Sequence, residues 1–194
     1  MKIEIKSGRL DGIFEPESKL VGEYFVAANT FGNRVRVIGT EKFAEQDIKN
    51  KRKSIKDILV AFSARGTKID AAAFPELIPI LCAVASFANS DTEIFGFDKT
   101  SENLSLIRGC VSAFNDIGGE LNFDGERILI KGKYDLSGGG KVNANSDFKT
   151  AMAIVLAATC TIYPVVIDNF PESDAAKKFL SDFSSLGGKI NILE

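Results

Sequence analysis

Val155-Leu-Ala-Ala158, a short turn, then Pro164-Val-Val-Ile167: this stretch decides the architecture, because its plan occurs twice more in the chain. Tyr24-Phe-Val-Ala-Ala28 leads to Arg34-Val-Arg-Val-Ile38, and Leu81-Cys-Ala-Val-Ala85 leads to Thr92-Glu-Ile-Phe95. Each copy is an alanine-rich apolar helix, a turn and a strand. Ala28 to Val37, Ala85 to Ile94 and Ala158 to Ile167 are all nine residues apart. Self-similarity at fixed spacing marks a repeat architecture. Small alanines let such helices approach a sheet closely.

A second element follows each strand. Phe62-Ser-Ala-Arg-Gly66-Thr-Lys-Ile69 matches Phe114-Asn-Asp-Ile-Gly118-Gly-Glu-Leu121 and Phe183-Ser-Ser-Leu-Gly187-Gly-Lys-Ile190. Glycine just past the last turn takes the left-handed conformation that ends a helix. Before these stops, apolar residues recur at helical spacing, as in Ile107, Cys110, Val111 and Phe114. After the second stop, Asp124-Gly125 between alternating strands predicts a hairpin. The first copy lacks that hairpin, and the third ends on Lys189-Ile-Asn-Ile192 without a partner strand. Lys2-Ile-Glu-Ile-Lys6 is like Arg127-Ile-Leu-Ile-Lys131, so the first strand is expected to close the third copy and bring the termini together. The expected fold class is α/β (α+β), one domain over 1–194 with three βαβαββ-type repeats at about 8–69, 70–131 and 132–194 plus 1–7.

Composition limits the chemistry. A net charge of −2 supplies no global basic field for nucleic acid or an anionic membrane. The start alternates like a strand rather than a cleavable leader. The longest nearly uncharged run, 151–167, is broken by Thr159, Thr161 and Pro164 and is shorter than the roughly 20 apolar residues that span a bilayer. Cys82, Cys110 and Cys160 are odd in number and form no CxxC pair, so they read as buried thiols in a reducing cytoplasm. The absence of histidine removes the commonest general base and most transition-metal sites. No metal and no cofactor is expected.

Ile69-Asp-Ala-Ala-Ala-Phe-Pro-Glu-Leu-Ile-Pro-Ile-Leu-Cys-Ala-Val-Ala-Ser-Phe-Ala88, Asn145-Ser-Asp-Phe-Lys-Thr-Ala-Met152 and Phe14-Glu-Pro-Glu-Ser18 carry a family resemblance. They resemble an Asp/Pro-Asp segment, an Asp-His-Arg-x-Ala-Met segment and a Gly-Asp-x-Ser segment of the enolpyruvyl transferases. The match is to the C-terminal half of the EPSP synthase family. That resemblance implies three repeats about a pseudo-threefold axis, forming one half of an inside-out α/β barrel. It also implies the shikimate pathway, with phosphoenolpyruvate and shikimate-3-phosphate held between two closing halves.

Carried over position by position, the resemblance puts Glu76 at the catalytic Asp and Asp98 at a phosphate-contacting Asn. Asp147 is retained, while Phe148 and Lys149 stand at the His and Arg. The family's Lys-Glu-x-Asp-Arg motif falls on Glu102-Asn-Leu-Ser-Leu106, which has none of its charges in place. A one-residue gap brings in Lys99 but no arginine, and Asp174 falls at the family's phosphate lysine. The candidate site is therefore Glu76 as the catalytic carboxylate, with Asp98, Asp147 and Lys149 binding substrate.

Each residue also has a structural role open to it. Asp147 suits an N-cap, Glu76 a first helical turn after Pro75, Lys149 a solvated surface and Asp98 a turn. Lys149 in a first turn opposes the helix dipole, which hints at an anion site. The run Lys49-Asn-Lys-Arg-Lys53 reads as a solvated face, and Ser137-Gly-Gly-Gly-Lys141 as a flexible strand connection without phosphate-loop spacing. Two functions follow. One is half of a split EPSP synthase working with a separate N-terminal half-domain or as a homo-oligomer. The other is a non-catalytic domain binding a small anion or a protein. The expected setting is cytoplasmic, with neither nucleic acid nor membrane as partner.

Overall fold

The computed structural model describes residues 1–43, 55–62 and 67–193, and side chains for all of these except 60–62. The basic run at 49–53 and the Gly66 stop lie outside the described residues.

Three inner helices form the centre: α1 (Lys19–Ala28), α3 (Ile78–Ser86) and α5 (Phe148–Ala158). Each touches the other two. Every residue of α3 is buried, and so is α5 from Thr150 to its end. A helix apolar on all sides is stable only when covered on all sides, and the alanines expected to permit close approach are fully buried. Outside them lie α2 (Ile55–Phe62), α4 (Ser101–Asp116) and α6 (Asp174–Ser185). These outer helices are two-faced: α4 buries Ile107, Cys110, Val111 and Phe114, and α6 buries Ala176, Phe179, Leu180 and Phe183.

The strands fall into three sheets. β2 (Asp11–Phe14) pairs parallel with β3 (Arg34–Val37), across α1. β4 (Thr67–Asp70) and β5 (Thr92–Phe95) pair parallel, and β7 (Ile128–Lys131) then β6 (Glu120–Phe123) continue antiparallel. β8 (Lys141–Asn143) and β9 (Val165–Asp168) pair parallel, and β1 (Lys2–Lys6) then β10 (Lys189–Leu193) continue antiparallel. Thus β1 occupies in the third sheet the place that β7 occupies in the second. Lys2 lies opposite Leu193 and Ile3 opposite Ile167. Ile3 and Ile5 carry no exposed surface, because their face of the strand packs on the core.

The Asp-Gly hairpin forms as its sequence dictates. Asp124 Oδ1 accepts from the N–H groups of Glu126 and Arg127 at 2.9 and 3.0 Å, and Gly125 supplies φ +97°. The triple-glycine connection at 137–141 differs from its reading as flexible. Gly138 N–H donates to Ile117 O at 3.0 Å and Gly139 N–H to Pro164 O at 3.1 Å. A Cβ on Gly140 would collide with the Asp116 carbonyl. These glycines permit a close crossing of backbones. Cys160 also departs from expectation: it is half-buried and lies beyond α5, where the Thr159 and Thr161 hydroxyls take the last carbonyls at 2.6 and 3.0 Å.

Two exposed strand edges are closed by asparagine side chains. Asn29 Nδ2 donates to Val35 O at 2.9 Å and Asn29 Oδ1 accepts from Val35 N at 2.8 Å, on the side away from β2. Asn115 makes the same two bonds with Leu121 of β6, at 2.9 and 2.8 Å. Each amide stands in for one residue of a missing strand and blunts the edge. Asn115→Leu keeps the volume but leaves both backbone groups of Leu121 unpaired. Chemical denaturation should register a loss of about 1–3 kcal/mol; an unchanged midpoint would remove this role from the amide.

Candidate functional site

The segment 75–77 is a short 3-10 turn that begins with Pro75 and leads into α3. Proline suits that position because its missing N–H has no helical acceptor there. Glu76, half-buried, projects from this turn. Its backbone carbonyl accepts a 3.0 Å hydrogen bond from the hydroxyl of Tyr24 on α1, so two inner helices are tied together under the carboxylate.

The start of α5 is built differently. Asn145 and Ser146 both hold left-handed backbone, at φ +51° and +57°. Asn143 Oδ1 accepts from Asn145 N at 2.8 Å and from Asn169 Nδ2 at 3.0 Å, which fixes the turn leaving β8. Asp147 then caps the helix, accepting from Thr150 N–H at 2.8 Å through Oδ2. Lys149 follows in the first turn. It is half-buried and makes no ion pair with any described residue.

These two helix starts face α4 across a cavity of about 340 Å³. From α4 come Asn103, Leu106, Ile107 and Cys110, a stripe at i, i+3, i+4, i+7. Ile78, Pro79 and Phe97 complete an apolar wall, and Glu76, Asp147 and Lys149 are its charged residues. Three of the four residues singled out from sequence therefore share one cavity. Asp98 does not line it: Phe97 turns inward at 5% exposure, and the next side chain along the chain is turned to solvent.

Other charged candidates are engaged elsewhere. Lys99 pairs with Glu126 at 2.6 Å, away from the cavity. Asp174 opens α6 and is exposed. One turn further along α6, Lys178 pairs with Asp182 at 2.6 Å, and that carboxylate holds its ammonium above the ordinary value, so Lys178 is no free cation in place of the family's phosphate lysine. A more open hollow of about 820 Å³ lies on the outer face of the second sheet. Four of its five charged residues pair among themselves, Lys68 with Glu93 at 3.2 Å and Lys131 with Glu120 at 3.0 Å, the fifth being Asp91, and it contains none of the candidates. Among the described residues, no group of three or more Cys, Asp or Glu is arranged to hold a metal. Nor is any of their helices long and apolar enough to cross a membrane.

Sequence reasoning missed Asn103, Leu106 and the thiol of Cys110 as cavity wall, although their helical spacing was legible. It also missed the role of Tyr24. Burial first, then the Cys110 thiol and the Asp147 carboxylate nearby, push this phenol well above its ordinary value. A hydrogen bond with Cys110, then burial, pushes the Cys82 thiol up behind the cavity floor.

Residues 26–182 match the family model of EPSP synthase (3-phosphoshikimate 1-carboxyvinyltransferase). A 3-phosphoshikimate 1-carboxyvinyltransferase of Clostridium novyi is 26% identical over 188 residues, 88% of this chain and 42% of that protein. The protein so named in Clostridium kluyveri is 34% identical over 134 residues, 65% of this chain and 30% of its own length. Among solved structures, the enolpyruvyl transferase NikO from Streptomyces tendae superposes with TM-score 0.68 at 15% identity, covering 89% of this chain and 43% of that one. EPSP synthase from Acinetobacter baumannii gives TM-score 0.56 at 20% identity, over 67% of this chain and 31% of that one. The structural likeness speaks for the fold, and the chain spans less than half the length of these relatives.

The raised phenol of Tyr24 sets a pH dependence. A phenol that holds its proton more tightly in the fold contributes stability in full below about pH 10, and loses it as pH rises further. Absorbance titration near 295 nm should find one of the chain's 3 tyrosines protonated until the fold is lost. Tyr24→Phe should abolish that late step; a persistent late step in this variant would assign it to another tyrosine.

Proposed function

Since this chain belongs to the EPSP synthase family, we propose that it is an enolpyruvyl-transferase-type half-domain that binds a small ligand and does not transfer an enolpyruvyl group by itself. One observation carries the reading. Asn103 and Leu106 line the cavity at positions where the family resemblance calls for glutamate and arginine. Holding the phosphate and carboxylate of phosphoenolpyruvate needs several cations or a bidentate guanidinium. The cavity wall offers the single ammonium of Lys149. A leucine at 106 neither donates a hydrogen bond nor neutralises charge that develops during addition and elimination.

Within this reading Glu76 is the carboxylate that stands nearest the family's acid/base role, and Asp147 and Lys149 are ligand contacts at the start of α5. Asp98 takes part only through the backbone it shares with Phe97. The family resemblance implies substrates held between two closing halves, and this chain matches less than half the length of its relatives. Full closure and exclusion of water would need a separate N-terminal half-domain, further sequence or a second copy. A cytoplasmic setting and the absence of nucleic acid and membrane partners belong to the same proposal. The short span relative to those enzymes favours a second reading, in which this chain regains shikimate-pathway transfer once such a half is supplied.

Phosphate release from phosphoenolpyruvate and shikimate-3-phosphate separates these readings. The chain alone should release none above the uncatalysed background. Mixing it with the N-terminal half of a relative should also release none. Turnover by the chain alone would overturn the proposal, whereas turnover only in the mixture would establish the split-enzyme reading.

A further inference from the structure

We propose that the cavity between α3, α4 and α5 selects a small carboxylate with an apolar body, bearing one negative charge and no phosphate. The inference rests on the reading of this cavity as a ligand site and names the chemistry of what it takes.

The charges lining the cavity are one ammonium, Lys149, and two carboxylates, Glu76 and Asp147. One negative charge is in excess. A doubly charged phosphate would meet two carboxylates in a partly enclosed space with one cation to offset them, and like charges that share a cavity oppose binding. A single carboxylate meets half that repulsion and can be held by Lys149 alone. Lys149 is suited to this: it is half-buried, has no ion-pair partner among the described residues, and stands at a helix start whose own dipole opposes it. An anion beside it relieves that opposition and also meets the positive end of α5. The Asn103 amide, on the facing helix, is a neutral donor that can share the load.

The opposite wall fixes the rest of the ligand. Leu106 is 38% exposed although its neighbours Ile107 and Phe97 are buried, so an apolar side chain presents uncovered surface inside a concavity. Ile78 and Pro79 of α3, themselves largely covered, back the same apolar wall. A cavity of about 340 Å³ has room for a ring or branched chain of six or seven carbons in addition to the carboxylate. A fully hydrated, polyhydroxylated or phosphorylated body would leave polar groups facing Leu106, Ile78 and Pro79 without partners.

The test uses the full chain with isotope-labelled Ile and Leu methyl groups, followed by NMR. The probes are cyclohexanecarboxylate, cyclohexylmethanol and inorganic phosphate. Cyclohexanecarboxylate should shift the methyls of Ile78, Leu106 and Ile107 saturably, with an affinity at least ~10-fold above either other probe. Lys149→Gln should weaken it about tenfold, as loss of a charged hydrogen bond does. Leu106→Arg should raise phosphate affinity while lowering that for cyclohexanecarboxylate. Phosphate binding as tightly as the carboxylate to the unaltered chain would overturn this inference and leave the ligand-site reading standing. Equal binding of cyclohexylmethanol would overturn the role of Lys149. If none of the three probes moves these methyls, the ligand-site reading itself fails.

Discussion

The whole molecule depends on covering three inner helices that are apolar over most of their surface. α3 is buried along its whole length and α5 along most of it. Neither presents a face that water could wet without a large loss of hydrophobic stabilisation. α1 joins them with Tyr24, Phe25, Ala27 and Ala28 buried. A single sheet covers one side of a helix. Three helices packed on each other need covering from three directions, and the three sheets with their outer helices supply it.

Closing the third direction takes the first strand of the chain. β9 would otherwise present an edge toward β10, and β1 fills the gap with both neighbours antiparallel. Among the described residues the first sheet has its two parallel strands, and there the Asn29 amide meets the backbone of Val35. A side chain thus completes hydrogen bonding where the other sheets use a strand. The buried amide of Asn33 does related work between repeats. It accepts from Leu10 N–H at 2.8 Å and donates to Thr159 Oγ1 at 3.0 Å, joining the end of α1, the approach to β2 and the end of α5.

The same geometry makes the cavity. Inner helices α3 and α5 begin on one side of the molecule, next to the flank of α4. Asp147 serves structure and site together: one carboxylate oxygen closes the first turn of α5, and the residue still lines the cavity. Capping and ligand contact are compatible roles for this aspartate, because one side chain with two oxygens can do both. Lys149 is harder to explain by structure alone, since a cation in a first helical turn works against the dipole.

The alanine-rich helices, the nine-residue spacing, the Asp124-Gly125 hairpin and the likeness of 2–6 to 127–131 are all local patterns, so the linear chain alone determined the repeat plan and the place of the first strand. Local patterns survive in a sequence because propensity and periodicity act over a few residues. The cavity was legible only in pieces. Glu76 and Asp147 are 71 positions apart in the chain, and nothing local says that they share a wall or that Asp98 faces away. The amide closures by Asn29 and Asn115 and the tight seating of Gly138 to Gly140 were likewise hidden, because each depends on what another segment places opposite. Tertiary packing decided these, since a hydrogen bond, a charge balance or a steric limit is a property of two surfaces and is written on neither one alone.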